Sequence, residues 1–240
     1  MDDKIQILKQ WLEQSNYTVI FTGAGMSTES GLPVFRSAST DLWKDQNPMR
    51  LVSTDAMQNN RYEFIEFYQN RIENIDKYKP NIGHDVLAQW EREGKLNAII
   101  TQNVDGFHQS AGSKNVAELH GSLRTCHCSE CRDIFPMARF MEQSLSCECG
   151  GFIRPSIVLF GERLPEAALI QAARETKKAE LFIVLGSSLN VSPANFFPQE
   201  AKENGAKLVI INMEPTGMDD VADLMIHHRK IGEVLKELTQ

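Results

Sequence analysis

No apolar run in this sequence approaches the roughly 20 residues that a membrane-spanning helix needs. The longest, such as 181–185, are far shorter, so no membrane partner is expected. Nor does an apolar stretch follow the opening Met-Asp-Asp-Lys, so a secretion signal is not expected and a cytoplasmic protein is. Positive charge is in the minority, 25 Lys and Arg against 32 Asp and Glu, for a formal charge of −7. A binder of phosphate backbones needs a basic face, so no direct nucleic-acid partner is expected. Internal repeats and low-complexity segments are lacking too. With 42% hydrophobic and 24% charged residues, the 240-residue chain is neither disordered nor fibrous and can build a sizeable core. Cysteine is few in number, yet all five lie between Cys126 and Cys149. In a reducing compartment such clustering points to metal rather than to disulfides.

What is present alternates. Residues 3–14 carry Ile5, Leu8 and Leu12 at helical spacing, and 17–21 read as a buried strand. The span from 41 to about 78 is helical and mixed, with a broad apolar stripe of Phe64, Ile65, Phe67, Tyr68, Ile72 and Ile75. A helix at 84–93 precedes a strand at 98–101, and a strand at 157–160 precedes a helix at 166–178. Strands at 181–185 and 207–211 flank a helix around 195–204, and an amphipathic helix from Ile231 to Leu238 closes the chain. Apolar strands alternating with helices predict an α/β fold, a parallel sheet with helices on both faces. The stretch 124–154 interrupts that alternation and reads as an insertion.

Ligands in such sheets bind beyond the carboxyl ends of the strands. Four of these ends are polar and unusual: Gly23-Ala24-Gly25-Met26-Ser27-Thr28, Gln102-Asn103-Val104-Asp105-Gly106, Gly186-Ser187-Ser188 and Asn212-Met213-Glu214. Together they outline a cleft. Gly23 and Gly25 would let backbone amides approach a pyrophosphate, but Thr28 stands where the dinucleotide fingerprint has its third glycine. Glu214 is a candidate partner for ribose hydroxyls, and a plain turn before Pro215 is the other reading of Asn212 and Glu214. His120, between the Asn103–Asp105 loop and the cysteines, suits a general base. The other five histidines are expected at the surface or as satisfied core residues. Cys128 with Cys131, and Cys147 with Cys149, form two pairs 15 residues apart that match a tetrahedral zinc site. Cys126 is the spare, with its replacement of Cys128 as ligand the lesser alternative.

Assembled, these motifs resemble the sirtuins, NAD-dependent protein-lysine deacylases, from Phe21 to the last helix. To the runs above the resemblance adds Gly31-Leu32-Pro33-Val34-Phe35-Arg36, Leu119-His120-Gly121 and Ile157-Val158-Leu159-Phe160-Gly161-Glu162. It implies a Rossmann-like domain (1–39, 76–123 and 155–240) and a small domain of helical module and zinc ribbon (40–75 and 124–154). The implied reaction passes the acyl group of a protein lysine to the ADP-ribose of NAD, releasing nicotinamide, O-acyl-ADP-ribose and free lysine. His120 and Asn103 would be catalytic. Ala24, Thr28, Phe35, Arg36, Gln102, Val104, Asp105, Ser187, Ser188, Asn212 and Ile231, with His120, would bind NAD. Val158, Phe160 and Gly161 would pair with the acyl-lysine peptide, and Zn would sit on Cys128, Cys131, Cys147 and Cys149 away from the reaction. Tyr68 and Arg71, three apart on one helix, match the pair that binds acidic acyl groups such as succinyl and malonyl. The chain departs from the family pattern near His228 and Arg229, where a glycine is usual. The same cleft would also serve an NAD-dependent ADP-ribosyltransferase or NAD hydrolase.

Overall fold

The computed structural model describes residues 3–32 and 51–240. Helix α1 (Asp3–Gln14) leads to strand β1 (Thr18–Thr22), and one helical turn, α2 (Gly25–Thr28), follows its end. Helices α3 (Thr54–Asn59), α4 (Arg61–Ile75) and α5 (Ile82–Arg92) precede β2 (Ala98–Thr101), α6 (Phe107–Ala111) and β3 (Val116–Glu118). Strands β4 (Gly121–Cys128), β5 (Ile134–Pro136) and β6 (Ile153–Ile157) come next. The chain then alternates through α7 (Glu166–Lys178), β7 (Leu181–Leu185), α8 (Phe196–Glu203), β8 (Lys207–Asn212), β9 (Leu224–His227) and α9 (Ile231–Glu237).

Six strands form one sheet in the order β3-β2-β1-β7-β8-β9, every pairing parallel. Because successive side chains point to opposite faces, Ile20, Ile99, Ile183 and Val209 pack on α1, α5 and α9. Val19, Phe21, Val184 and Ile210 face the other way, onto Ala172 of α7 and Ala201 of α8. Both faces are covered, which is why these strands are apolar throughout. From β1 the order runs outward to β2 on one side and to β7 on the other, so the carboxyl ends of β1 and β7 are the topological switch point of the sheet.

The second sheet, β5-β4-β6, is antiparallel. Phe64, Tyr68 and Ile72 of α4 pack against its Leu123, Cys126, Ile153 and Ile157 in a core separate from those of the large sheet. Here the structure departs from expectation: the strand expected at 157–160 lies at Ile153–Ile157. Beyond Ile157 the backbone N–H groups turn to loops, Val158 to the His120 carbonyl (2.9 Å) and Phe160 to that of Val52 (3.0 Å). Within the expected helical span 41–78, the described part holds two helices, α3 and α4, broken at Asn60. Strands β3, β4, β5 and β9 go beyond the strands expected from the sequence. No helix among the described residues is long and apolar enough to cross a membrane.

Candidate active site

At the switch point the loops after β1 and β7 interlock. Gly23 N–H donates to the Leu185 carbonyl (3.0 Å) and Gly25 N–H to that of Gly186 (2.8 Å). Gly186 has φ +62°, and a Cβ there would lie 2.5 Å from Met26 N. Only glycine meets both demands. The loops open into a cleft of about 1730 Å³ lined from both sheets. Ala24 and Thr28 line it, the Thr28 hydroxyl donating back to the Gly25 carbonyl (2.8 Å). Phe35 and Arg36 lie outside the described residues.

The loop after β2 supplies the polar centre. Asn103 Nδ2 donates to the Gly23 carbonyl (2.9 Å) and to Ser27 Oγ (3.2 Å), and Ser27 in turn donates to Asp105 Oδ2 (2.7 Å). One hydroxyl thus orients both side chains. Asp105 Oδ1 accepts from Phe107 N–H (2.9 Å). Burial raises the Asp105 carboxyl above its ordinary range, opposed by the Phe107 and Ser27 hydrogen bonds and by the Arg71 and Arg124 charges. Gln102 Oε1 accepts from the Ser187 hydroxyl (2.8 Å), while its buried Nε2 has no partner among the described residues. A donor-rich carboxamide at the edge of a cleft is what a nucleotide with amide, phosphate and ribose acceptors would use. Val104 and Ser188 line the same space. The residues present therefore fit NAD.

His120 follows β3. Its Nδ1 lies 3.0 Å from the Gln102 carbonyl, which can only accept, so Nδ1 carries the proton and Nε2 is the basic nitrogen. Gly121 after it has φ +75°, and a Cβ there would lie 2.1 Å from the Ser156 carbonyl. That close approach brings the His120 turn against the segment holding Val158, Phe160 and Gly161, all of which line the cleft. Glu162, the last residue of the 157–162 motif, and Arg154, which no motif included, fix this segment. Glu162 accepts from Leu159 N–H (2.8 Å) and from the buried guanidinium of Arg154 (3.1 Å), which also donates to the Ile157 carbonyl (2.7 Å). A local motif could not announce this pair, because Arg154 reads as a surface cation.

At the far end, Asn212, Glu214 and Ile231 line the cleft. Asn212 Nδ2 donates to the Glu214 carbonyl (2.7 Å), so the turn reading holds for its side chain, and Glu214 is exposed on the rim. Ile231 opens α9, whose Gly232 N–H donates to Glu29 Oε1 (3.0 Å), another link not foreseen. His228, near which the family glycine was expected, adopts φ +60° without being glycine. Tyr68 and Arg71 both line the cleft from α4. Tyr68 is buried between Phe64 and Phe67 (ring centroids 4.7 and 5.0 Å). Desolvation lowers the Arg71 pKa below its ordinary value, with Tyr68 and Asp105 opposing that shift.

Away from the cleft, the ligand atoms of Cys128, Cys131, Cys147 and Cys149 lie within 4.8 Å of one another. Tetrahedral Zn–S bonds of about 2.3 Å put sulfurs about 3.8 Å apart, so the cluster fits zinc. Cys126 is not in it: its Sγ faces the Pro136 carbonyl at 3.3 Å.

Residues 23–193 match the model of the Sir2 family. The NAD-dependent protein deacetylase 1 of Geobacillus kaustophilus is 58% identical, with 97% of this chain and 96% of that one aligned. The NAD-dependent protein deacylase 2 of Archaeoglobus fulgidus is 40% identical over 100% of this chain and 96% of its own. Among solved structures, a Sir2–p53 peptide–NAD+ complex superposes with a TM-score of 0.88 at 38% identity, covering 98% of this chain and 97% of that one.

Proposed function

The chain belongs to the Sir2 family, and from that premise we infer that it removes acyl groups, acetyl foremost, from protein lysines with consumption of NAD. The products are nicotinamide, O-acyl-ADP-ribose and free lysine. The observation that carries the reading is the convergence of His120 Nε2, the Asn103–Ser27–Asp105 network and the Gln102 amide on one cleft. NAD, when bound, supplies an activated ribose carbon with nicotinamide as leaving group. This chain's residues do the rest. Gln102, Val104 and Asp105 hold the nicotinamide end; Ala24, Thr28, Phe35 and Arg36 line the NAD-binding loop, with Arg36 near the phosphates; Ser187, Ser188, Asn212 and Ile231 surround the phosphates and the adenosine. Asn103 orders the ribose. His120, with Nδ1–H donated to the Gln102 carbonyl, takes a proton at Nε2. Val158, Phe160 and Gly161, which line the cleft beside His120, receive the acyl-lysine peptide. Closing the cleft around it keeps water from hydrolysing NAD.

We read the chain as two domains divided as the family pattern implies, supported by the separate core beneath the small sheet. Zinc braces that small domain and takes no part in the reaction. We place the protein in the cytoplasm, where a four-thiolate site stays reduced. One observation favours a wider acyl range: Arg71 and Tyr68 line the same cleft as His120. A desolvated guanidinium beside a phenol suits the carboxylate of a succinyl or malonyl group. Incubation with NAD and an acetyl-lysine peptide tests the main reading. O-acetyl-ADP-ribose with stoichiometric nicotinamide is expected. Nicotinamide released without peptide, or ADP-ribose joined to protein, would instead identify a hydrolase or an ADP-ribosyltransferase.

A further inference from the structure

Outside the cleft lining, the core holds two histidines that the reaction does not use. His84 and His108 are 0% and 1% exposed, with ring centroids 4.9 Å apart. They were expected to be surface or satisfied residues, and they are neither. One nitrogen of each ring is engaged: His84 Nδ1 lies 3.2 Å from the backbone N of Asn81, and His108 Nε2 lies 3.0 Å from Thr22 Oγ1. The other nitrogens, His84 Nε2 and His108 Nδ1, are buried with no partner among the described residues. Such atoms are rare enough in folded proteins to need an explanation.

Elementary donor counting fixes both tautomers. The Asn81 backbone N–H can only donate, so His84 Nδ1 is an acceptor and the neutral ring carries its proton on Nε2. Thr22 Oγ1 donates to Thr101 Oγ1 (2.8 Å), the same oxygen that receives the Asn103 backbone N–H (3.0 Å). Its one proton is thereby used, so it can only accept from His108 Nε2–H, and His108 Nδ1 is the bare nitrogen. We infer that His108, as an Nε2–H imidazole packed against His84, heads a donor chain through Thr22 and Thr101 that positions the Asn103 backbone. Burial supports it by holding both rings neutral: desolvation lowers the His84 pKa to about 4 and that of His108 well below its ordinary value. His84, whose ring centroid lies 4.9 Å from that of His108, is the capping-box residue of α5, a helix start tied to the cofactor loop by Asn81 Nδ2 and the Met26 carbonyl (2.8 Å).

Nitrogen-15 NMR of the labelled full chain reads the tautomers without reference to activity. Both rings should show a protonated Nε2 and a bare Nδ1 at pH 7; a protonated Nδ1 on His108, or imidazolium on either ring, overturns the chain. The second arm rests on the deacylase reading. Misplacing a catalytic loop by a fraction of an ångström is costly, so His108→Leu should lower kcat about tenfold or more while leaving the peptide KM within about twofold. His108→Gln, whose amide replaces the Nε2 donor, should restore most of that loss. Equal kcat in the Leu and Gln variants would refute the positioning role. Thr22→Val, which keeps shape and loses the hydroxyl, should reproduce the loss if His108→Leu fails to fold; wild-type kcat in it would also refute the role. A wild-type protein without deacylase activity would defeat the reading of function and leave the NMR result to judge the chain.

Discussion

Acid should unfold this protein through its buried imidazoles, and the size of the effect follows from two residues. Desolvation depresses the pKa of His84 to about 4, and that of His108 well below the ordinary value of about 6.5. Their folded-state pKa values are lowered, so the unfolded chain binds these protons first. The associated stability is fully present above about pH 6.5 and is lost as pH falls toward 4. One proton bound only in the unfolded state gives a slope of about 1.36 kcal/mol per pH unit, so falling from 6.5 to 5 costs about 2 kcal/mol per ring. Two rings make about 4 kcal/mol, against a total of about 5–15 for an ordinary domain. Asp105 works in the opposite sense, since burial raises its pKa and the folded state binds that proton more readily, but its window lies lower, in the carboxylate range. Urea unfolding followed by circular dichroism between pH 7.5 and 5 measures the slope. The wild-type slope should exceed that of His84→Gln and that of His108→Gln by about one proton each, while His127, whose pKa desolvation also lowers to about 4, titrates alike in all three proteins. Acid release of thiolate-bound metal affects all three proteins alike, so the difference between them isolates the imidazoles. A wild-type midpoint that does not move over this range, or a variant that retains the full wild-type slope, would refute the argument.

Three further outcomes are expected. His120→Ala should keep its unfolding midpoint and lose about 10²–10⁴-fold in kcat for deacetylation, the usual contribution of a general base, as read by nicotinamide release. Cys128→Ser should lose the metal and unfold earlier, whereas Cys126→Ser should retain one zinc per chain by metal analysis, because Cys126 lies outside the four-sulfur cluster. Arg71→Met should reduce kcat/KM on a succinyl-lysine peptide about 10–150-fold more than on its acetyl counterpart, the size of a lost charge-assisted hydrogen bond of about 1.5–3 kcal/mol. Equal losses on the two peptides would make Arg71 a structural residue.

What could be read along the chain was what is local and buried on every side. Strands β2 and β7 begin and end where their apolar runs do, because a parallel strand covered on both faces has no polar positions to blur its limits. The edge strands β3 and β9 are harder to read, because each is short and has a neighbour on one side only. Strands β4 and β5 are hidden for another reason: their burial is mixed, without the continuous apolar run of a strand covered on both faces. The misplaced strand near 157 has the same origin. Four apolar residues in a row, Ile157 to Phe160, imitate a strand, whereas the true one carries Arg154 and Pro155. A proline is tolerated there because β6 is the edge of its sheet.

The polar loops after the strands could be anticipated for a related reason: a sheet of this kind presents its ligands at the strand ends, so polar residues there are conspicuous. Long-range pairing was not conspicuous. Ser27 meets Asp105 across 78 residues, and no local signal ties them. The buried histidines show the limit most clearly. A capping box is sought as Ser or Thr followed three residues later by Glu or Gln, and here an Asn81 side chain and a His84 imidazole fill those roles. That imidazole packs against a ring 24 positions further along the chain, with centroids 4.9 Å apart. The Asn81 N–H alone commits His84 to one tautomer, but the desolvation that keeps its ring neutral exists only once α5 and α6 are packed together, and nothing local in the sequence signals it.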